Sequence, residues 1–377
     1  MKKVLLTATV YSHIAQFHKP LINMLKDKGY EIHVAGRNNL IEKKGLSIEN
    51  VDKFFDIPFS RSPLNKNNII AFVKLREIIN ENNYSIVHCN TPMGGIITRL
   101  ATMKQRNNGV KVIYTAHGFH FYKGAPKKNW LIYYPIEKFF SRYTDLLITI
   151  TKEDYKLAKE KFYCNVVRMH GVGANAEKFN SDTINIKELR MSLGFNITDF
   201  IVLTIGELNK NKNQEVTIKA IKKLENKIPN LKYLLAGNGP NKEYLEKLVE
   251  KNNLNEKVIF LGYTTDVDKY MKISDILVSS SLREGLPLNV MEAMFCKRSV
   301  IASQNRGHSE LITHMENGIL FDAKNEEELA DNIFKLYKNK NVKNSLISNA
   351  YQIIQKYGID SIAKELDIIY KRVVKNK

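Results

Sequence analysis

The sequence predicts an α/β protein made of two Rossmann-like, doubly wound parallel sheets facing a central cleft. Three observations lead there. Short, β-branched apolar runs alternate with amphipathic stretches along most of the 377 residues, the pattern of parallel strands covered by helices. Two of the runs, Ile201-Val202-Leu203 and Ile276-Leu277-Val278, are apolar throughout, as strands buried on both faces must be. The alternation lapses around 170–184, where Gly171, Gly173, Asn175, Asn180, Ser181 and Asp182 intervene, and then begins again, which marks a domain boundary.

In the first half, strands are expected at 4–10, 31–35, 85–89, 111–116 and 145–151, with helices at 15–28, 68–82, 94–104 and 153–161. Met1-Lys2-Lys3 and the apolar run after it superficially resemble a secretory leader. The run is short and β-branched, and no small-residue cleavage site follows, so it reads as the first buried strand. In the second half, strands are expected at 200–205, 231–236, 258–261, 275–279 and 299–302, and the tail 326–377 is helical with a break near Gly358. The expected organisation is a domain over 1–172, a domain over 186–355, and a C-terminal helical segment over 356–377 that packs back on the first domain.

Composition excludes several classes. At 44% hydrophobic and 26% charged, the chain can build packed cores, so disorder is excluded. No apolar run approaches the ~18 residues that span a bilayer. Cys89, Cys164 and Cys296 are far apart and odd in number. With no Cys/His cluster at ligand spacing, neither a disulfide framework nor a structural zinc site is expected, and a reducing cytoplasm is. Basic side chains outnumber acidic ones by 58 to 39, and residues 1–185 hold +13 of the +19 surplus. Such a field attracts polyanions: nucleic acid, anionic lipid or phosphorylated substrates. No helix-turn-helix, zinc finger or RNP pattern is present, so a specific nucleic-acid partner is not expected.

The densest chemistry lies at 279–294, which reads S-S-S-L-R-E-G-L-P-L-N-V-M-E-A-M. A buried strand ends at Ser279, a polar loop follows, and Pro287 opens a helix, where its fixed φ suits the first helical position. A loop entering a helix offers unpaired backbone N–H groups, and with the helix dipole these attract anionic oxygen. Glu284 lies in the loop, and Glu292 lies about 8 Å further along the helix axis than Pro287. Two carboxylates so spaced suit an elongated ligand, with hydroxyls at one end, a ribose at the other and a diphosphate between. Alone, such a pair more often marks an acid at a helix start and another on its solvated face. Here three further strand ends carry binding-type sequence: Gly206-Glu207-Leu208 with Lys210 and Lys212, Ala236-Gly237-Asn238-Gly239-Pro240, and Leu261-Gly262-Tyr263.

In this order the blocks, with Arg306-Gly307-x2-Glu310 and Asn317-Gly318-Ile319-Leu320 after them, resemble the C-terminal half of the family-4 glycosyltransferases of GT-B fold over about 170–325. The first half resembles the family more loosely, through Thr115-Ala116-His117-Gly118 and the stretch from Gly171 to Phe179. The resemblance implies a hexosyltransferase of the EC 2.4 class in bacterial capsular, exopolysaccharide or lipid-linked-saccharide synthesis. It makes 1–172 the acceptor-binding domain and 186–355 the nucleotide-sugar domain. It implies that Glu284 contacts hydroxyls of the donor sugar near the reacting carbon. Gly285, Leu286 and Pro287 bring backbone to sugar and diphosphate, and Glu292 binds the ribose. Lys212 neutralises the diphosphate beside Gly206, Gly237 lies at a neighbouring strand end, and the Gly262–Tyr263 region approaches the base. His117 reaches across the cleft to the donor sugar. The anomeric configuration is retained, the leaving phosphate itself helping to deprotonate the acceptor hydroxyl; a covalent intermediate on Glu284 is the competing route.

Two departures stand out. Many members carry an arginine directly after the first glycine, whereas this chain has Glu207, which would repel a diphosphate at close range. Glu207 is therefore expected to point elsewhere or bind another cation, with a lysine such as Lys210 substituting. Many members also carry a Gly-Gly loop after the first strand, where this chain has Thr9-Val10-Tyr11-Ser12-His13; Ser12 or His13 is expected in that role. Asp266-Val267-Asp268 looks like a D-x-D metal motif. It precedes a helical pattern and reads instead as an N-cap with an acidic first turn. No cofactor and no catalytic metal is expected, because Lys212 and helix N-termini meet the phosphate charge.

The segment 95–142 holds nine basic residues, one acid (Glu137), the only tryptophan (Trp130), and Tyr133, Tyr134, Phe139 and Phe140. Cations interleaved with aromatics suit an anionic membrane surface. The expected partners are thus a nucleotide-sugar donor, a saccharide acceptor linked to undecaprenyl diphosphate, and the inner face of the cell membrane, where a cytoplasmic protein would dock peripherally. For the donor, UDP-hexose or UDP-N-acetylhexosamine comes first and GDP-mannose second. The alternative is a nucleotide-sugar epimerase of the same architecture, which would need no acceptor.

Overall fold

The computed structural model describes residues 2–42, 45–180, 182 and 184–375; Met1, Ser181 and the last two residues of the tail lie outside the described residues. The chain forms two units, 1–173 with 359–377, and 174–358.

The first unit is a seven-stranded sheet of β1 (Lys3–Val10), β2 (Glu31–Arg37), β3 (Lys53–Asp56), β4 (Ile86–Asn90), β5 (Lys111–Ala116), β6 (Leu146–Thr149) and β7 (Asn165–Arg168). Their spatial order is β3-β2-β1-β4-β5-β6-β7. Neighbours pair in parallel throughout. The strand order reverses between β1 and β4, so the crevice outside their carboxyl ends is where such a sheet takes ligands. The expected helix over 15–28 forms as two, Tyr11–Phe17 and Lys19–Asp27, broken at His18 (φ −118°). Pro20 explains the break: within a continuous helix its ring would clash with the carbonyl four residues back. Helix Ile359–Lys375 belongs to this unit. Its Tyr370 hydroxyl bonds His88 Nδ1 at 2.7 Å, and Glu365 pairs with His170.

The second unit is a six-stranded sheet of β8 (Phe200–Ile205), β9 (Leu231–Ala236), β10 (Val258–Gly262), β11 (Ile276–Ser279), β12 (Ser299–Ser303) and β13 (Ile319–Phe321). The order β10-β9-β8-β11-β12-β13 is again parallel and reverses between β8 and β11. Apolar clusters cover both faces. Val202, Leu235 and Val278 serve one, and Ile201, Leu203 and Leu277 the other.

Candidate functional site in the second unit and its surroundings

The sequence-predicted donor residues are spread along the carboxyl edge of β8–β11. Lys212 leaves the loop after β8, and its Nζ donates to Glu284 Oε1, in the loop after β11, at 2.7 Å. The two loops are laced together by polar bonds. Leu282 N–H donates to Asn211 O (2.7 Å), Asn211 Nδ2 to Arg283 O (3.0 Å), and the Ser280 hydroxyl to Lys212 O (2.9 Å). Asn213, in the left-handed region at φ 53°, spans from Ser280 O to Ala323 O through Nδ2. The Lys212–Glu284 pair is thereby preorganised at the topological switch point of the sheet. An anionic oxygen arriving there competes with Glu284 for the ammonium protons.

Glycine is required where the strand ends meet. A Cβ on Gly237 would stand 2.0 Å from Gly206 O, and one on Gly206 would meet Lys212 Cε at 3.3 Å. Gly237 N–H donates to Gly262 O at 2.8 Å, so Gly206, Gly237 and Gly262 line up across β8, β9 and β10. Tyr263, next to Gly262, is 67% exposed and free to meet a flat ring. Gly307, in helix Arg306–Leu311, lies under the Glu284 loop: a Cβ there would reach Gly285 O at 2.6 Å and Glu284 Cβ at 2.7 Å. Gly307→Ala is therefore expected to keep the fold but displace the Glu284 loop, and, on the reading of Glu284 proposed below, to lower kcat by about 10²-fold, the cost of a misplacement of about 1 Å. Kinetics alongside a melting curve check this.

Pro287 is the N-cap of helix Leu288–Phe295, not its first residue as the sequence suggested. Its backbone is extended at ψ 114°, which places the helix start one position later. Leu286 packs on the apolar cluster below, and Asn289 Nδ2 ties the helix to Ile205 O at 3.1 Å. Glu292 is half-buried. Burial pushes its carboxyl up to about 8, with Lys178 opposing and Asp268 reinforcing the shift. Its charged neighbours are thus Lys178 and Asp268 rather than Lys212. A protonated carboxyl both donates and accepts, which matches a vicinal diol. Folded Glu292 keeps its proton between about 4.5 and about 8, where an unfolded chain has released it, so wild-type stability falls as pH rises through that window. Glu292→Gln is expected to flatten this decline in melting curves from pH 5 to 8 and to weaken nucleotide binding.

The departures resolve locally. Glu207 is exposed, and its carboxylate accepts from Asn209 Nδ2 at 2.8 Å. Lys210 lines a pocket with Gln214, Asn241 and Tyr244. Asp266 holds the N-cap position of helix Val267–Ile273 but makes no side-chain cap; it pairs with Lys269 at 3.3 Å instead. Asp268 pairs with Lys272 (3.1 Å) and Lys178 (3.6 Å).

Sequence reasoning missed His308. It is fully buried beneath the Glu284 loop, with Nδ1 on Ser303 O at 2.6 Å and Nε2 on the Ser279 hydroxyl at 2.9 Å. Nδ1–H donates to the carbonyl and Nε2 accepts from the serine. Burial holds the imidazole down at about 4, so it stays neutral and props the strand end from which the loop departs. Its place between Gly307 and Glu310 was the available signal.

In the first unit His117 follows β5. Its Nε2 lies 3.2 Å from His13 Nε2 and 3.4 Å from Asn90 Oδ1. Burial pushes it down to about 4. Ser12 is engaged by Asn39, which accepts from its N–H at 3.0 Å and donates to its hydroxyl at 2.9 Å. Beside them lies a cavity of about 520 Å³ lined by His13, Arg61, Thr91, Phe121, Tyr133 and Ile136 among others. The segment 95–142 is not uniformly a surface. Arg99 is buried and paired with buried Glu137 at 2.9 Å, and its guanidinium lies 4.2 Å from the centre of the Tyr114 ring. Trp130 turns inward, against Phe121 and Tyr134, donating to Tyr122 O at 3.1 Å.

Residues 185–353 match the family model for glycosyl transferases group 1, and residues 3–151 match glycosyl transferase 4-like. The chain belongs to this family of glycosyltransferases and has the GT-B fold. Among curated relatives it is 40% identical to the putative glycosyltransferase EpsD of Bacillus subtilis, over 98% of this chain and 96% of that one. It is 27% identical, over 81% and 80%, to the UDP-Gal:α-D-GlcNAc-diphosphoundecaprenol α-1,3-galactosyltransferase of Escherichia coli. Among solved structures, Anabaena HepE in complex with UDP superposes at TM-score 0.79 with 19% identity, over 99% of this chain and all of that one. Sucrose-phosphate synthase of Thermosynechococcus elongatus superposes at 0.82 with 17% identity over the whole of both chains. No helix among the described residues is long and apolar enough to cross a membrane.

Proposed function

We propose that this glycosyltransferase moves a hexosyl or N-acetylhexosaminyl group from a uridine diphosphate donor, with retention, to a saccharide carried on undecaprenyl diphosphate. It does so at an anionic membrane surface during synthesis of a bacterial surface polysaccharide. The observation that carries the reading is the Lys212–Glu284 pair, held at 2.7 Å at the β8/β11 switch point. Lys212 takes the diphosphate and Glu284 the sugar hydroxyls. Gly285, Leu286 and Pro287 bring backbone close, Glu292 binds the ribose, and Gly206, Gly237 and Tyr263 flank the nucleotide. Cleavage at the anomeric carbon leaves charge on the diphosphate, which Lys212 offsets. The departing phosphate oxygen takes the proton of the acceptor hydroxyl on the same face. The uridine nucleotide and the undecaprenyl acceptor are supported by the name of the Escherichia coli relative.

The membrane reading rests on helix Lys127–Phe140, which exposes Leu131, Ile132, Tyr133, Ile136 and Phe139 beside exposed Lys123, Lys127, Lys128 and Arg142. Apolar side chains within a basic rim suit an anionic interface. Flotation is expected to recover the protein with anionic vesicles at low salt and to release it at high salt. Equal recovery in the unbound fraction with anionic and neutral vesicles contradicts this.

The activity test is a panel of UDP-glucose, UDP-galactose, UDP-N-acetylhexosamines and GDP-mannose, each with an undecaprenyl-diphosphate-linked sugar. The expected result is a product one hexose or N-acetylhexosamine heavier, formed from a UDP sugar only when acceptor is added. Donor conversion without acceptor indicates an epimerase.

A further inference from the structure

Three histidines far apart in the sequence meet at the carboxyl edge of the first unit's sheet. His13 follows β1, His18 sits at the break between the two helices after it, and His117 follows β5. One ligand nitrogen from each lies within 4.8 Å of the others. The Nε2 atoms of His13 and His117 are 3.2 Å apart, and two imidazoles on one tetrahedral zinc, with bonds of about 2.0–2.1 Å, stand about 3.3 Å apart. His18 is the informative member. His88, its ring neighbour, has both nitrogens satisfied, by Tyr370 and Thr115 at 2.7 Å each. His18 Nε2 is buried and has no hydrogen-bond partner among the described residues. A buried polar atom without a partner is costly and rare.

We propose that His13, His18 and His117 form a three-imidazole site for one divalent d-block cation of the zinc class. Imidazole nitrogen suits zinc, cobalt, nickel and copper, and a three-histidine set leaves a position open. Each histidine ligates through the lone pair of a neutral imidazole nitrogen. Three neutral donors leave the cation's charge unbalanced, so the open position takes an anionic oxygen. His13 and Arg61 both line the adjoining cavity, whose walls include Phe121 and Ile136. The site thus sets a second cation near Arg61 in a chamber whose walls are mostly apolar. The inference does not depend on the donor assignment in the second unit.

The test is binding of cobalt(II) and zinc(II) to metal-stripped full-length protein. The wild type is expected to take up one cobalt(II) per chain, with the intense visible absorption of tetrahedral coordination, and to release it to zinc. His18→Phe and His13→Phe, whose rings fill the same space, are expected to lose this uptake while melting as the wild type does. In the wild type itself, zinc is expected to shift the imidazole nitrogen resonances of His13, His18 and His117 together. No cobalt uptake by the wild type, uptake unchanged in both variants, or zinc leaving those three resonances in place overturns the proposal.

Discussion

Replacing Lys212 by alanine is expected to lower kcat/KM for the nucleotide-sugar donor by about 10²–10³-fold, the usual loss when one preorganised donor to developing negative charge is removed. Lys212 Nζ is the charge closest to Glu284, at 2.7 Å, in a pair that is largely shielded from solvent. On the proposed assignment, its removal takes away the counter-charge for the leaving diphosphate and leaves Glu284 to repel that group. Both consequences act more strongly on the transition state than on the bound donor, so kcat is expected to fall more than KM rises. The fold is expected to survive, because the polar bonds that lace the two loops run through Asn211, Asn213 and Ser280. Steady-state kinetics with a melting curve separate the two effects.

The largest expected effect on stability comes from Glu137→Gln. Arg99 is among the largest fully buried side chains and Glu137 is buried with it. The carboxylate accepts from Arg99 Nη2 at 2.9 Å and from the Tyr114 hydroxyl at 3.2 Å. A lone buried carboxylate can take up a proton, but guanidinium cannot lose one. Neutralising Glu137 therefore strands a buried cation, at a cost of about 3–5 kcal/mol. The reverse change, Arg99→Met, is expected to cost less. Denaturant unfolding of the two variants gives the order directly.

The interior strands were legible because each is an apolar run buried on both faces. The strands missed were β3, β7 and β13, all at sheet edges. Lys53–Asp56 is mostly exposed and Asn165–Arg168 partly so, while Ile319–Phe321 has only three residues. None of them presents the periodicity that a buried strand must. The break at His18 was written in Pro20, two residues on, but the amphipathic pattern continues across it.

In the second unit the motifs lie at strand ends, and the strand order reverses so that β11 lies beside β8, which makes the loops after these two strands neighbours in space. Lys212 meeting Glu284 follows from that topology. Arg99, by contrast, was counted as surface charge, since nothing local to 99 reveals a partner at 137. The His13–His18–His117 cluster was invisible for the same reason: its members are brought together by β1 and β5, on either side of β4, and not by any short spacing.

The central claim is that Lys212 and the Glu284 loop recognise a nucleoside diphosphate. Calorimetric titration of UDP and UMP into the wild type and Lys212→Ala tests it most directly. The account predicts that the wild type binds UDP at least about tenfold more tightly than UMP, about 1.4 kcal/mol, and that the preference collapses in the variant while UMP affinity holds. Equal affinities in the wild type, or a preference that survives loss of Lys212, would contradict it.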